Sequence, residues 1–297
     1  MTSPPLTRAP GASQQAKGIL CIIVSNAIFG LTDALSKVLT GEYPPGQILF
    51  FRALFVFVSI AVMIRWQGGW REVRIVDWRL QFVRGGLLAV GSYIFIIALK
   101  HVPLADLTAM MFLSPLVLTA LAPRFLGEYV GWRRWTAVAI GFCGSLLIIR
   151  PSGEFPLWPM MLAMTMPFSM SVRDIITRHL AKTDSATGMM ICGTVCVIVG
   201  GALSLPFAWV SPTWEAMALF ALTGTLQGVA QFFLVYAFIY GEAVVVAPFR
   251  YFLLLWAVLY GYLFFGDIPR WETIIGASIV VAAGLYVFFR ETRHGKG

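Results

Sequence analysis

Long apolar stretches, each about the length of a membrane-spanning helix, follow one another along almost the whole chain. They lie at residues 18–39, 46–65, 80–99, 104–124, 132–150, 156–177, 187–209, 213–239, 243–265 and 271–290. A hydrocarbon core of roughly 30 Å requires about 20 mostly apolar residues in a helix. The pattern therefore predicts an all-α integral membrane protein with ten transmembrane helices.

The ten predicted spans divide into two sets of five, at residues 17–150 and 155–290. Because five is odd, two copies of one five-helix unit in a single chain must have opposite orientations in the membrane. A shift of 139 residues aligns the last three spans of each set without a gap, and it pairs Gly127-Glu128 with Gly266-Asp267. We therefore expect a 5+5 inverted-topology repeat, an arrangement with which many secondary transporters build two gates around one site.

The composition agrees with a protein that is mostly in contact with lipid. Of the 297 residues, 59% are hydrophobic and 12% are charged, too few to cover the surface of a soluble domain. The net charge of +8 does not indicate a nucleic-acid partner, because the basic residues lie at span ends and not along one polar face. We expect a small-molecule substrate and the lipid bilayer as partners, and the sequence does not indicate an oligomeric state.

The basic residues also predict an orientation. Fifteen of the 22 lysines and arginines lie on the side that holds both termini and four on the opposite side, while Arg52, Arg173 and Arg250 lie within spans. Cytoplasmic loops carry the excess of basic residues in membrane proteins. The pattern predicts cytoplasmic termini, with residues 1–16 as a disordered tail and residues 291–297 as a short one.

The motifs of several other protein classes are missing from the sequence. It contains no Walker A motif, no HExxH and no Gly-x-Ser-x-Gly, and its three histidines lie at span edges. The four cysteines lie inside spans, where free thiols behave as small apolar groups. We predict no enzymatic activity, no metal and no cofactor.

Polar side chains near the middle of spans are the first candidates for a substrate site. Gln227 and Gln231 share one face of the eighth span, Asn26 lies deep in the first, and Arg250 follows Pro248 in the ninth. A polar group in lipid is costly unless it faces a partner or a water-filled cavity. We predict that Asn26, Gln227 and Gln231 bind polar substrate groups and that Arg250 binds a carboxylate. The alternatives are hydrogen bonds between helices and, for Arg250, a side chain that extends to the membrane surface.

Other residues are predicted to shape or control the cavity. Its wall is predicted at Tyr93, Met110, Met111, Ser114, Phe168 and Tyr251. Methionine adapts to many apolar shapes, although ordinary helix packing also explains these residues. Asp33, Lys37 and Arg52 are candidates for gating or coupling. Asp33 and Lys37 are four residues apart on one helix face, so a simple ion pair near the outer end is the alternative.

Over roughly residues 17–290 the chain resembles the drug/metabolite transporter superfamily, specifically its group with two EamA repeats. The resemblance lies in residues 105–115 (ADLTAMMFLSP), in Leu126-Gly127-Glu128 and in Phe51-Arg52 shortly after Pro44-Pro45. The second half departs from the family pattern, since Asp267 stands where glutamate is usual and no proline matches Pro115.

The resemblance implies transport by alternating access through a central cavity of a multi-pass protein in the bacterial inner membrane. Bacterial exporters of neutral and aromatic amino acids are the most similar group, so the expected function is amino acid efflux. A sugar-phosphate, nucleotide-sugar or drug carrier of the same superfamily is one alternative. A passive channel is another, although the polar positions form separate clusters and not a continuous stripe.

Overall fold

The computed structural model describes residues 12–66, 69–125, 132–149, 157–241 and 243–294, and it contains helices and no strands within these ranges. The predicted tail falls largely on residues 1–11, which lie outside the described residues, as do Gly127-Glu128 and residues 295–297. The all-helical fold class is confirmed for the described chain.

Fourteen α-helices make up the described chain. They are α1 (Ala12–Leu39), α2 (Pro45–Trp66), α3 (Trp78–His101), α4 (Leu104–Met111), α5 (Ser114–Phe125), α6 (Trp132–Ile149), α7 (Leu157–Ala163), α8 (Met166–Leu180), α9 (Ala186–Ala202), α10 (Leu205–Ala208), α11 (Trp214–Tyr240), α12 (Ala243–Val246), α13 (Phe252–Phe265) and α14 (Trp271–His294). Short 3-10 helices lie at Trp70–Glu72 and at Ala247–Tyr251.

Prolines divide four of the predicted spans into shorter helices. Pro115, Pro167 and Pro206 each occupy the second position of a new helix, α5, α8 and α10. Proline has no N–H, so it fits the first turn of a helix but interrupts the hydrogen bonds of a helix interior. Pro248 lies in the 3-10 helix between α12 and α13. The spans predicted from the sequence were continuous and did not include these four breaks.

Seven helical segments within the described ranges are long and apolar enough to cross a membrane. They are Ser13–Leu39, Pro45–Trp66, Trp78–His101, Leu104–Phe125, Ala186–Phe207, Trp214–Tyr240 and Pro248–Phe265. Two shorter apolar helical segments follow the same pattern, at Trp135–Ile148 and Trp271–Val287. The described chain therefore has the architecture of a polytopic membrane protein.

Helices from the two predicted halves pack against each other throughout the bundle. The contacts of α1 with α11, α2 with α11 and α1 with α13 have counterparts in those of α8 with α3, α9 with α3 and α8 with α5. Two further large contacts join equivalent helices of the two halves. Helix α2 packs on α9, the second span of each half, and α6 packs on α14, the fifth span of each half. The two halves thus share the core.

Glycines allow the closest of these contacts. A Cβ on Gly224 of α11 would overlap the Arg52 carbonyl oxygen of α2, and one on Gly144 would lie 2.9 Å from the Gly276 carbonyl oxygen of α14. Small residues at helix interfaces let backbones approach in membranes. Gly86 differs from the others, since a Cβ there would have no neighbour within 4 Å.

Candidate functional site

Helix α1 has two faces with polar side chains that extend into the bundle. Asn26, Gly30, Asp33 and Lys37 repeat at helical spacing and form one face. The Asn26 Nδ2 donates hydrogen bonds to the carbonyl oxygens of Phe249 at 2.8 Å and Arg250 at 3.5 Å. Asn26 therefore binds the backbone of the 3-10 helix, whose carbonyl groups are released from the α-helical pattern.

One turn above Asn26, an aromatic pair lies against the same face of α1. The rings of Trp256 and Tyr260 are stacked with centroids 5.8 Å apart. A Cβ on Gly30 would lie 3.1 Å from both Trp256 Cβ and Tyr260 Cδ2, so the glycine admits the pair to the helix surface. The Trp256 Nε1 is buried and has no hydrogen-bond partner within the described part of the chain.

The second face of α1 consists of hydroxyl side chains directed at α2 and α11. The Ser25 hydroxyl donates to the Ala230 carbonyl oxygen at 2.8 Å, and the Thr32 hydroxyl donates to Gln227 Oε1 at 3.1 Å. The Ser36 hydroxyl accepts a hydrogen bond of 3.0 Å from Arg52 Nη1. The structure thus brings Gln227 and Arg52 together with α1.

Asp33 and Arg52 interact electrostatically without forming a direct ion pair. The charge of Arg52 acts on the Asp33 carboxylate, and the charge of Asp33 acts on the Arg52 guanidinium. No Asp33 oxygen lies within 4 Å of an Arg52 nitrogen, and Asp33 makes no side-chain hydrogen bond to any residue in the described ranges. The Arg52 guanidinium is instead held by Ser36, one turn from Asp33 along α1. The Arg52 guanidinium is therefore held within about one helical turn of Asp33 but does not pair with it.

Lys37 forms its ion pair with a residue from the other end of the chain. Its Nζ lies 3.0 Å from Asp267 Oδ2, 3.4 Å from the Val102 carbonyl oxygen and 4.6 Å from the centre of the Phe265 ring. The alternative that Lys37 simply pairs with Asp33 is wrong. The ammonium is instead in contact with the Asp267 carboxylate, which lies just beyond the end of α13.

Asp106 and its partners extend this ionic cluster. The Thr273 hydroxyl donates to Asp106 Oδ1 at 2.6 Å, and Arg270 Nη2 lies 3.9 Å from Asp106 Oδ2. A cavity of about 220 Å³ adjoins the cluster and is lined by Asp106, Asp267 and Arg270 among others. Charged groups thus join α1, α4, α13 and α14 at one end of the bundle, the outer end in the orientation predicted from the sequence.

Four of the predicted wall residues are buried or partly buried within the bundle. Met110 is completely buried, and the Ser114 carbonyl oxygen accepts a hydrogen bond of 2.8 Å from the Ser171 hydroxyl of α8. The Tyr251 ring packs on Phe112 with centroids 4.9 Å apart, while Met111 is partly buried against the main core. These residues fill the interface around the break between α4 and α5.

Three other predicted site residues, Tyr93, Phe168 and Arg250, have different surroundings. Tyr93 lines a cavity of about 270 Å³ between α2, α3 and α9, whose other lining residues are apolar. Phe168 is 47% exposed, and Arg250 is also exposed at the surface of the 3-10 helix. Gln231 is partly buried and makes no hydrogen bond within the described ranges.

Sequence reasoning missed Thr32, Ser36, Trp256 and Tyr260 of this site. The sequence did not indicate a role for Thr32 and Ser36, because a hydroxyl within a helix commonly bonds the backbone of its own helix. Ser36 does so at the Thr32 carbonyl oxygen, at 2.6 Å. The spacing of Ser25, Thr32 and Ser36 was the available signal. Within the described ranges no group of three or more histidine, cysteine or acidic residues is placed to hold a metal ion.

Comparison with known proteins gives a consistent family. Residues 16–150 and 157–289 each match the EamA-like transporter family. The chain is 29% identical to a riboflavin transporter of Rhizobium johnstonii, over 95% of this chain and 94% of the relative. It is 26% identical to an S-adenosylmethionine uptake transporter of Rickettsia bellii, over 93% and 94%.

Two further matches have lower identity but similar coverage. A pseudopaline exporter of Pseudomonas aeruginosa is 25% identical over 90% of this chain and 94% of its own. A solved crystal structure of a protein superposes with a TM-score of 0.65 at 16% identity, and the match covers 95% of this chain and 98% of that one. This last match shows a shared fold. The named relatives are transporters, which agrees with the lack of enzyme motifs in the sequence.

Proposed function

Because the chain belongs to the EamA-like transporter family of the drug/metabolite transporter superfamily, we propose that it carries small organic metabolites past the polar faces of α1. We place it in the bacterial inner membrane with both termini in the cytoplasm, since fifteen of 22 basic residues lie on that side. The observation that carries the proposal is the convergence of Gln227, Arg52 and the Trp256–Tyr260 pair on one helix.

The proposed mechanism is alternating access between two inverted five-helix halves. The matched helix contacts of the two halves support this arrangement. The contacts between equivalent helices, α2 with α9 and α6 with α14, support it as well. The ion pair between Lys37 and Asp267 would close one end of the path, and its rupture would open that end. Asn26, Thr32 and Gln227 would meet substrate polar groups deeper in the bundle.

The proposed substrates combine a flat or apolar part with several polar groups. Riboflavin and S-adenosylmethionine, named for two of the relatives, each join a nitrogen heterocycle to a polar chain. The stacked Trp256 and Tyr260 rings suit the flat part, and the amides and hydroxyls suit the chain. Export of neutral or aromatic amino acids is the finer form of the proposal, and it rests on the family resemblance, since the names of these relatives include both uptake and export.

Counterflow in proteoliposomes tests the function directly. Vesicles loaded with unlabelled compound are given a trace of the same compound in labelled form, in turn riboflavin, S-adenosylmethionine, phenylalanine and tryptophan. A saturable carrier accumulates the label transiently, whereas a channel only equilibrates it. Absence of protein-dependent flux for every compound would refute the proposal.

Two glutamine variants test the position of the site. We expect Gln227→Ala and Gln231→Ala to reduce the apparent affinity about tenfold each, the effect of losing one or two hydrogen bonds to a substrate. Ser278→Ala is the matched control, because the exposed Ser278 hydroxyl bonds the Ile274 carbonyl oxygen of its own helix and no other described residue. Unchanged kinetics in both glutamine variants would show that substrate does not pass α11.

A further inference from the structure

We propose that Asp33 and Arg52 form a subsite for a zwitterionic head group, in which Asp33 binds an ammonium group and Arg52 binds a carboxylate. This inference rests on the proposed function and specifies the charge of the substrate head. It assigns to these two residues a direct role in selecting the substrate.

The two charges lie at the same depth of the bundle. Asp33 is six residues from the end of α1 at Leu39, and Arg52 is seven residues from the start of α2 at Pro45. At a rise of 1.5 Å per residue these distances correspond to about 9 and about 10 Å along the helices. Since α1 and α2 are joined by a short turn, the two residues lie at a similar level along their helices.

The Arg52 guanidinium is fixed but still has free donors. Its Nη1 donates to the Ser36 hydroxyl at 3.0 Å, and no other Arg52 side-chain hydrogen bond is made to the described residues. A guanidinium carries five N–H donors, and two of them can bind both oxygens of a carboxylate in parallel. Ser36 therefore orients the group and leaves a face available to a ligand.

The Asp33 carboxylate has no hydrogen-bond donor of its own among the described residues, although Arg52 acts on it electrostatically. A carboxylate in a membrane interior is stable only with a compensating partner. A ligand with an ammonium group would supply both the charge and the donors. A ligand with a single charge would satisfy one residue and leave the other uncompensated, so the pair favours a head group of zero net charge.

The surroundings suit the remainder of such a molecule. Gly30 lies one turn below Asp33, and there the stacked Trp256 and Tyr260 rings contact α1. The Trp256 Nε1, which has no partner among the described residues, offers one hydrogen-bond donor to a polar atom beyond the head group. An apolar or heterocyclic side chain attached to the zwitterion would therefore extend along α13.

The test uses four forms of one skeleton, each added to the purified full-length protein in nanodiscs. They are L-phenylalanine, its amide as a cation, its N-acetyl form as an anion, and N-acetyl-phenylalaninamide as a neutral molecule, with the same four forms of L-methionine as a second series. Binding is measured as the shift in Tm with ligand concentration. We expect at least one of the two zwitterions to bind about tenfold or more tightly than its three derivatives.

Two variants locate the subsite. Asp33→Asn should remove the preference for the zwitterion and improve binding of the N-acetyl anion, because the repelling carboxylate is gone. Asp174→Asn is the control, since Asp174 pairs with its neighbour Arg173 at 3.4 Å and its side chain is 42% exposed. The comparison of the four forms needs no variant, so it decides the question even if Asp33→Asn fails to fold.

Equal affinity for all four forms in both series, or no binding of either zwitterion, would overturn the inference. Retention of the zwitterion preference in Asp33→Asn would overturn it as well. These results are separate from failure of the proposed function. If riboflavin or S-adenosylmethionine shows counterflow while the zwitterions gain no preference, transport stands and the head-group subsite does not.

Discussion

The Lys37 ammonium of α1 and the Asp267 carboxylate beyond α13 lie 3.0 Å apart, although 230 positions separate them in the chain. The Lys37 side chain is 15% exposed and that of Asp267 33%. The pair thus links the first helix to the second half of the molecule at one end of the path. In the proposed cycle this contact breaks whenever that end opens.

A double-mutant cycle should reveal the coupling between the two residues. We expect Lys37→Ala and Asp267→Ala each to lower the Tm, and the double variant to lose less than the sum of the two. A partly exposed ion pair contributes about 1 kcal/mol or less, so the coupling should be of that size. Lys37→Ala should be the more harmful change, because Lys37 also contacts the Val102 carbonyl oxygen and the Phe265 ring.

The corresponding cycle at Arg173 and Asp174 serves as the control. These neighbours in sequence lie 3.4 Å apart at a more exposed position, so their coupling should be close to zero. Strictly additive effects at Lys37 and Asp267 would mean that the ion pair does not stabilise the closed end.

Gly224→Ala should disrupt the contact between α2 and α11. The new Cβ would overlap the Arg52 carbonyl oxygen and lie 2.6 Å from Phe55 Cβ, so one helix must shift. We expect a loss of about 1–3 kcal/mol in the free energy of unfolding, the range for overpacking a close contact. Thermal unfolding in detergent measures it.

Gly86→Ala is the matched control on α3, since a Cβ at Gly86 would have no neighbour within 4 Å. Alanine is also the better helix former, so this variant should be as stable as the parent or slightly more stable. If both alanine variants had the same Tm, the close approach of α2 and α11 would not contribute to stability.

Thr273→Val should destabilise the protein through Asp106. The Thr273 hydroxyl donates a hydrogen bond of 2.6 Å to Asp106, which is 2% exposed. Valine has the same shape without the donor, so a buried carboxylate loses a partner at about 1–3 kcal/mol. The Tm of the variant is compared with that of the parent.

Thr194→Val provides the reference for this substitution. Within the described part of the chain the Thr194 hydroxyl bonds just the Met190 carbonyl oxygen of its own helix, so its loss should change the Tm little. An equal decrease in both variants would indicate that the hydroxyl group matters only for its helix and not for Asp106.

Asp184, in the turn between α8 and α9, should make stability depend on pH. Burial alone would raise its pKa, but hydrogen bonds from the Gln81 amide, the Thr183 hydroxyl and the Val76 N–H outweigh burial and hold the pKa below its ordinary value of 3.8. A carboxylate with a lowered folded-state pKa stabilises the fold above its ordinary pKa. That contribution is lost as the pH falls through the folded-state value.

We therefore expect Asp184→Asn to lower the Tm at pH 7, and the difference from the parent to shrink as the pH falls below about 4. Gln81→Leu removes one of the donors and should produce part of the same loss at pH 7. A difference in Tm that stayed constant from pH 7 to pH 3 would contradict this account.

The polar positions of the candidate site were visible in the sequence, but their partners were not. Asn26, Gln227 and Arg52 stood out because polar side chains are rare in apolar spans. The sequence did not indicate that Asn26 binds the backbone at Phe249 or that Thr32 meets Gln227. Arg250 was predicted to bind a carboxylate, with extension to the membrane surface as the alternative. Its side chain is exposed, while its carbonyl oxygen accepts a hydrogen bond of 3.5 Å from Asn26 Nδ2.

The sequence by itself determined the class of the protein, because the length and apolar content of each helix and the charges at its ends are local properties. Helical periodicity also determined which residues of α1 share a face. Only the tertiary structure decided which helix each face meets, and so paired Lys37 with Asp267 and Arg52 with Ser36. The physical reason is that apolar helices can slide and rotate against one another with little change in buried area, so the partners of a polar group depend on packing between segments distant in sequence.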